Sequence, residues 1–312
     1  MTKVFIDGRE GTTGLRIVER LSVRDDITLI PISEELRKDP AARRACIEAS
    51  DISFLCLPDA AAREAVALCQ NPAVKIIDTS TAHRTNPDWA YGFAELSPAH
   101  REKLVNSKRV AVPGCHASGF IAAVYPLVAA GVIAPDYPLC VHSLTGYSGG
   151  GKKMIAQYQD ENRPALYDAP RQYGITQGHK HLPEMQKICG LSRTPIFMPI
   201  VADYYSGMEV TVALYGELLK KPMTVDSLRE LYAAHYAGQK LVKVGQPDED
   251  GMISAVAMSG RDDMEIIVSG NDERLLVSVR FDNLGKGASG AAVQCMNLLM
   301  GCDECKGLNV GE

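Results

Sequence analysis

Two kinds of layered architecture are written into this 312-residue chain: an α/β domain with a doubly wound parallel sheet, followed by an α+β domain on a mixed sheet. Three observations predict this. A strand, a glycine turn and a helix open the chain. Strands and helices then alternate as far as Val112. Beyond Ala130, strand-like runs succeed one another without helices long enough for parallel crossovers.

Lys3–Ile6 is a short strand running into Gly8-Arg-Glu-Gly11-Thr12-Thr13-Gly14, after which Leu15, Val18 and Leu21 keep a helical period. Such a turn lets backbone approach a pyrophosphate at a helix N-terminus, so Gly8, Gly11, Thr12, Thr13 and Gly14 are cofactor-binding candidates in a Rossmann-like domain. The spacing G-x-x-G-x-x-G departs from the commoner G-x-G-x-x-G, and a purely structural turn is the competing reading. The second strand, 27–32, ends at Ser33, followed by Glu34, Glu35, Leu36, Arg37 and Lys38. An NAD site places an acid there. A hydroxyl and two cations suit a 2′-phosphate, so Ser33, Arg37 and Lys38 predict NADP(H), with Glu34 as the residue that would reverse the preference. Strands at 52–57 and 75–78, with a helix at 60–69 between them, continue the sheet. Leu57-Pro58 ends one strand where adenosine or ribose would lie. Asp78-Thr-Ser80-Thr-Ala-His-Arg84 leaves the next carrying hydroxyls, Ser80 among them, and a guanidinium suited to a phosphate.

Val110-Ala-Val-Pro-Gly-Cys115-His-Ala-Ser118 places a thiol between the end of a buried strand and a helix predicted over 118–130. The positive end of a helix dipole favours thiolate, which is the nucleophilic form. Cys115 is therefore the candidate nucleophile, against the bland alternative of a buried small hydrophobe.

In the second domain, strands are predicted at 139–144, 194–201, 208–215, 241–244, 265–269 and 275–281, with a helix at 225–236. A last helix at 291–300, opened by glycines, packs back on the first domain. The predicted domains are 1–115 with 287–312, and 116–286, the latter catalytic and oligomerising. Gly178-His179-Lys-His181-Leu-Pro-Glu184 sets two imidazoles on one face of an extended segment, with a carboxylate close enough to orient one of them. Either could pair with a thiol; two surface histidines or a metal site are the alternatives. Gly146-Tyr-Ser148-Gly-Gly-Gly-Lys152-Lys153 resembles a phosphate cradle but lacks the P-loop pattern, and suits a substrate phosphate or carboxylate better than ATP.

A net charge of −5 with dispersed Lys and Arg argues against a nucleic-acid or membrane-surface partner, and no apolar run reaches membrane-spanning length. The nine cysteines are scattered through apolar segments with no leader before them, which predicts reduced thiols and a cytoplasmic setting. Cys302-x-x-Cys305 has no second ligand pair, so no metal is expected.

GREGTTG, DTSTAHR, VPGCHAS, GYSGGGKK, GHKHLPE and NLGKGASGAAVQCMN, in this order across 4–297, resemble the shorter form of the N-acetyl-γ-glutamyl-phosphate reductases. Aspartate-semialdehyde dehydrogenases share the plan but fit less well at the histidine motif. The resemblance implies NADPH-dependent, reversible conversion of a small acyl phosphate, N-acetylglutamyl 5-phosphate, to the semialdehyde, in arginine biosynthesis. Cys115 would form a thioester, and His179 or His181 would move the proton, His179 being preferred. Arg84, Lys152 and Ser148 would meet the acyl phosphate. Asn283, Gly285 and Lys286 would line the nicotinamide side. A homo-dimer or homo-tetramer is expected. Competing functions are another semialdehyde dehydrogenase, including one acting on a carrier-bound substrate, a cysteine hydrolase, and a non-catalytic NADP sensor.

Overall fold

The computed structural model describes residues 1–311, which form two compact units: 1–113 with 288–308, and 114–287 with the residues from 309 onward. Gly114 opens the second unit, so Cys115 lies in it. The tail from Asn309 also belongs to the second unit, because Asp262 N donates to Asn309 O at 2.7 Å and Asn309 N to Asp262 Oδ2 at 2.8 Å.

The first unit contains β1 (Thr2–Asp7), α1 (Thr12–Ser22), β2 (Ile27–Leu29), α2 (Pro40–Ala49), β3 (Ile52–Leu55), α3 (Asp59–Leu68), β4 (Lys75–Asp78), β5 (Ala90–Tyr91), α4 (Pro98–Asn106) and β6 (Arg109–Ala111). The six strands are all parallel, in the order β2-β1-β3-β4-β6-β5. Alternate side chains of the strands feed two cores. Val4, Ile6, Phe54 and Ile77 pack with Ile17, Leu21 and Leu104, and with Ala292, Val293 and Met296 of the returning helix Gly290–Met300. Phe5, Leu55 and Ile76 pack with Ile47, Ala62 and Ala65 on the other face. Helices on both faces of a parallel sheet make it doubly wound. β2 stops short of its predicted end, and Pro31 just beyond it has no N–H to give a ladder. α2 and α4 escaped the sequence reading. Each begins with a capping side chain followed by proline: Asp39 accepts from Ala42 N, and Ser97 from His100 N.

The second unit contains α5 (Cys115–Ala129), β7 (Cys140–Gly146), α6 (Gly151–Gln159), β8 (Arg171–Gln172), α7 (Leu182–Ile188), β9 (Ile196–Ala202), β10 (Met208–Tyr215), α8 (Val225–His235), β11 (Val242–Val244), β12 (Met264–Asn271) and β13 (Arg274–Phe281). Its seven strands run β11-β12-β13-β10-β7-β9-β8. The β7–β9 and β11–β12 pairs are parallel and the rest antiparallel, the mixed sheet expected. α5 lies on the face where Val210, Val212, Val277 and Phe281 are buried. Pro126 sits inside α5 and cannot donate to the carbonyl of Ala122. Tyr236 supplies the missing donor, its hydroxyl reaching Ala122 O at 2.9 Å, beside Tyr232 on Ala123 O at 2.5 Å. The helix carrying the candidate nucleophile is thereby kept intact. Among the described residues, no helix is long and apolar enough to cross a membrane.

Candidate active site

In the first unit the glycine turn has the shape a pyrophosphate needs. Gly8 takes φ +85°, and a Cβ there would lie 2.3 Å from Cys56 O. A Cβ on Gly14 would lie 2.4 Å from Gly8 O, so the turn and α1 are as close as backbone allows. Gly11 N donates to Gly8 O at 3.0 Å, and Gly11 caps α1 without any side-chain bond, so Thr12 and Thr13 open a helix whose first amides no side-chain cap occupies. These residues fit a dinucleotide. Ser33, Arg37 and Lys38 lie exposed beyond β2. Arg37 Nε pairs with Glu34 Oε1 at 2.7 Å across the surface. Glu35's carboxyl is held below its ordinary range by its own backbone N–H, then by Ser33. Leu57 packs into the core under α2 and α3, and Pro58 caps α3.

In the DTSTAHR loop Ser80, His83 and Arg84 bond to the loop's own backbone and carboxylate. Ser80 spends its hydroxyl on Asp78 Oδ2 at 2.7 Å and its N–H on Asp78 Oδ1 at 2.9 Å. His83 Nδ1 lies 2.6 Å from the same carboxylate, and its ring stacks on Trp89 at 4.0 Å. Arg84 is buried, with Nε on Val112 O at 2.8 Å and Nη2 on Thr79 O at 3.0 Å. A guanidinium forked onto two backbone carbonyls is bracing the end of the strand that leads to Cys115. Neither Ser80 nor Arg84 presents an uncommitted side chain of the kind the sequence suggested.

The second unit holds the candidate nucleophile and the histidines. Cys115 is the first residue of α5, three residues earlier than the predicted helix start, so the dipole argument applies within the first turn itself. Gly114 N, just before it, donates to Glu184 Oε2 at 3.2 Å. The carboxylate expected to orient an imidazole is bonded to the turn carrying the thiol. His181 caps α7 and is buried; His179 is part-exposed. Their rings are 4.7 Å apart, and His181 N donates to His179 Nδ1 at 3.2 Å. Burial, then the charge of Lys180, pushes His179 down to about 4. It is therefore neutral at ordinary pH, with its proton on Nε2.

Gln177 sets the entry to this segment. It is the one non-glycine residue among those described with positive φ, at 59°, and its side-chain amide exchanges two hydrogen bonds with the backbone of Phe197. The Phe197 ring lies 5.0 Å from that of His179.

Three residues here went unnoticed in the sequence. His116, next to the thiol, is buried and lies 5.7 Å ring to ring from both His179 and His181. Its Nδ1 is 2.6 Å from Ser143 Oγ, and its Nε2 is 2.6 Å from Tyr173 Oη. Burial above all pushes His116 down to about 3, helped by the charges of His179 and Lys180. The signal was its place beside Cys115; the partners lie 27 and 57 residues away.

Ser148 is buried and accepts Asn283 Nδ2 at 3.0 Å, while Asn283 Oδ1 accepts Gly207 N at 2.9 Å. Lys152 is exposed in the first turn of α6, where the sequence reading had only a loop. Gly285 donates its N–H to Asp282 Oδ1 at 3.3 Å, and Lys286 is buried in the π-turn Gly285–Ser289.

A glycine-cradled dinucleotide turn together with a helix-capped thiol beside histidines defines a semialdehyde dehydrogenase. The NAD-binding domain of that family matches residues 31–104, and its dimerisation domain matches 115–283. Proteins named N-acetyl-gamma-glutamyl-phosphate reductase are similar over nearly the whole length. That of Sinorhizobium medicae is 46% identical over 96% of this chain and 98% of its own. That of Burkholderia ambifaria is 44% identical over 96% of both. The chain belongs to the N-acetyl-γ-glutamyl-phosphate reductase family. Solved aspartate semialdehyde dehydrogenases share the fold. That of Francisella tularensis superposes with a TM-score of 0.73 at 14% identity, over 96% of this chain and 100% of the other. The Vibrio cholerae enzyme complexed with ASA gives 0.72 at 17%, over 96% and 98%.

Proposed function

We propose that this chain catalyses the reversible, NADPH-dependent reduction of N-acetyl-L-glutamyl 5-phosphate to N-acetyl-L-glutamate 5-semialdehyde and phosphate, the arginine-biosynthetic reaction named for its relatives. The observation that carries this reading is Cys115 at the first position of α5, its turn pinned by Glu184, in a chain similar to those relatives from end to end.

The Cys115 thiolate attacks the acyl carbonyl. The bond from carbon to the phosphate oxygen breaks, phosphate leaves and a thioester remains. Bound NADPH supplies the hydride that reduces this carbonyl. The thiohemiacetal oxyanion then collapses, its C–S bond breaks, and aldehyde departs from the restored thiolate. One proton is consumed overall and leaves with phosphate. His179, whose Nε2 carries a proton, donates a hydrogen bond to the oxyanion and is the preferred carrier of the mobile proton, with His181 the other imidazole able to move it. Glu184 acts through both His181 and the Gly114 turn. Lys152 and the Ser148 hydroxyl take the phosphate oxygens, Asn283 holding Ser148 in place. Arg84 acts on the thiol-bearing strand end instead. Gly285 and Lys286 stand on the nicotinamide side.

The glycine turn with Thr12 and Thr13 holds the pyrophosphate, and Ser33, Arg37 and Lys38 take the 2′-phosphate of NADP(H), Arg37 exchanging Glu34 for it. The second unit leaves one sheet face without a covering helix, where Ala213, Tyr215, Leu276 and Ile196 are exposed. A homo-dimer or homo-tetramer in the cytoplasm, joined through that face, completes the reading. The test runs the reaction backwards with N-acetylglutamate semialdehyde, NADP and phosphate, with Cys115→Ala as control. Phosphate-dependent NADPH formation lost in the variant supports it. Activity with aspartate semialdehyde alone would move the substrate.

A further inference from the structure

β13 runs directly into a turn that touches Cys115, and one carboxylate sets that turn. Asp282, the residue after β13, is buried. Its Oδ1 accepts Leu284 N at 2.6 Å and Gly285 N at 3.3 Å, and its Oδ2 accepts Ser206 Oγ at 3.0 Å and Gly260 N. Its carbonyl accepts Gly287 N at 2.9 Å. Ser206 gives its one proton to the carboxylate, so Ser259, 2.5 Å away, is the donor to Ser206. Bonds to an ionised acceptor are the strong ones, and four of them converge on these two oxygens.

Glycines let both ends of the turn pack closely. A Cβ on Gly285 would stand 1.9 Å from Arg261 O, and one on Gly287 would stand 3.0 Å from Cys115 Cβ and 3.2 Å from Phe281 Cε2. The turn thus has the 259–262 segment against one end and Cys115 against the other. That segment is itself tied down, for Asn309 Nδ2 donates to Gly260 O at 2.9 Å and Asn309 N to Asp262 Oδ2 at 2.8 Å. All of these residues belong to the second unit.

We propose that Asp282 is a positioning residue for Cys115: its carboxylate fixes residues 284–287 so that Gly287 walls one side of the Cys115 side chain and holds the sulfur in one orientation. This rests on the nucleophilic role given to Cys115 above. The thiol must meet the acyl carbonyl and then keep the thioester in line for hydride, and a small misplacement of a reacting atom costs rate. In Asp282→Asn one acceptor oxygen faces four donors. Whichever way the amide turns, two of them meet its NH2 instead.

The test joins the reverse assay to alkylation of Cys115 by iodoacetamide, followed against pH by peptide mass spectrometry on the full chain. Asp282→Asn should lower kcat about tenfold or more, with KM for the semialdehyde and for NADP within a factor of about two. Alkylation needs no substrate and little orientation. Its pH midpoint should stay in place, while its plateau at high pH, with the wall loosened, should rise about threefold. Gly287→Ala keeps the carboxylate and sets a methyl group against Cys115, so kcat should fall and the plateau should drop at the same midpoint. Parent-like kcat in Asp282→Asn overturns the proposal, as does a loss carried by KM. A midpoint that moves down in Asp282→Asn also overturns it, because the carboxylate would then act on the thiol by charge. If Asp282→Asn does not fold, Ser206→Ala decides. It removes one of the four bonds and should lower kcat about threefold with KM kept, and parent-like kcat there overturns the proposal. A parent protein inert in the reverse assay would instead fail the assigned reaction, and the alkylation plateaus would still judge the wall.

Discussion

Gln177 Nε2 donates to Phe197 O at 2.8 Å while Phe197 N donates to Gln177 Oε1 at 2.9 Å, so one side-chain amide stands in for a strand residue at the edge of β9. It does this from a left-handed backbone conformation, which costs a non-glycine residue about 1–2 kcal/mol. The two bonds offset that cost and deliver the chain to Gly178 and His179. Gln177→Ala keeps the strain and loses the clamp; turnover should fall several-fold with little change in melting. Gln177→Gly removes strain and clamp together, so it should melt higher than the alanine variant yet turn over no faster. Equal turnover in all three proteins would detach the clamp from the site.

Arg84 separates two roles by its kinetics. As a brace on Val112 O and Thr79 O, its replacement by lysine should lower kcat about tenfold or more, with KM for the acyl phosphate within a factor of two. A phosphate-binding role would raise KM and spare kcat.

Cofactor choice is tested at Arg37. Removing it with Arg37→Ala should weaken NADP by about tenfold, measured by the rise in melting temperature on adding nucleotide, and leave NAD unchanged. An equal effect on both cofactors would show that the cation serves only Glu34.

His179 and His116 tie stability to pH. Their folded values, about 4 and about 3, lie below the ordinary imidazole value. The unfolded chain therefore binds more protons as pH falls below about 6.5, and the folded state loses stability until its own histidines titrate. Melting should be insensitive to these groups above neutrality and fall by several degrees towards pH 5. His179→Gln should shrink that fall. An undiminished fall would place the acid sensitivity elsewhere.

Tyr236→Phe leaves Ala122 O, already deprived of a donor by Pro126, unsatisfied in the core. A loss of about 1–3 kcal/mol is expected by urea unfolding, with activity retained in the protein that stays folded.

How much of this was legible depends on the range over which each signal acts. Gly8, Gly14 and Cys115 declare themselves through neighbours a few residues away, and the structure puts the glycines in a tight turn and the thiol on a helix end. α2 and α4 were missed because only Arg43 and Ile47, or Leu104 alone, are buried in them, too few to make an apolar period. Their caps at Asp39 and Ser97, each followed by proline, are the local signal that marks them. α6 was hidden by the glycines that open it. Arg84 suggests a phosphate because a guanidinium matches one; that it meets two backbone carbonyls depends on where Val112 lies in three dimensions. His116 was adjacent to the motif, but its partners Ser143 and Tyr173 come from β7 and the edge of β8, and no spacing announces them.

The returning helix Gly290–Met300 supplies Ala292, Val293, Met296 and Leu299 to the core of the first unit. A chain emerging from the ribosome therefore exposes one apolar face of its first sheet, with Val4, Phe54 and Ile77, until residues 290–300 have been made. The second unit has nearly all its residues by then. The first sheet, though it precedes the second unit in the chain, has its core completed only by a helix that follows that unit.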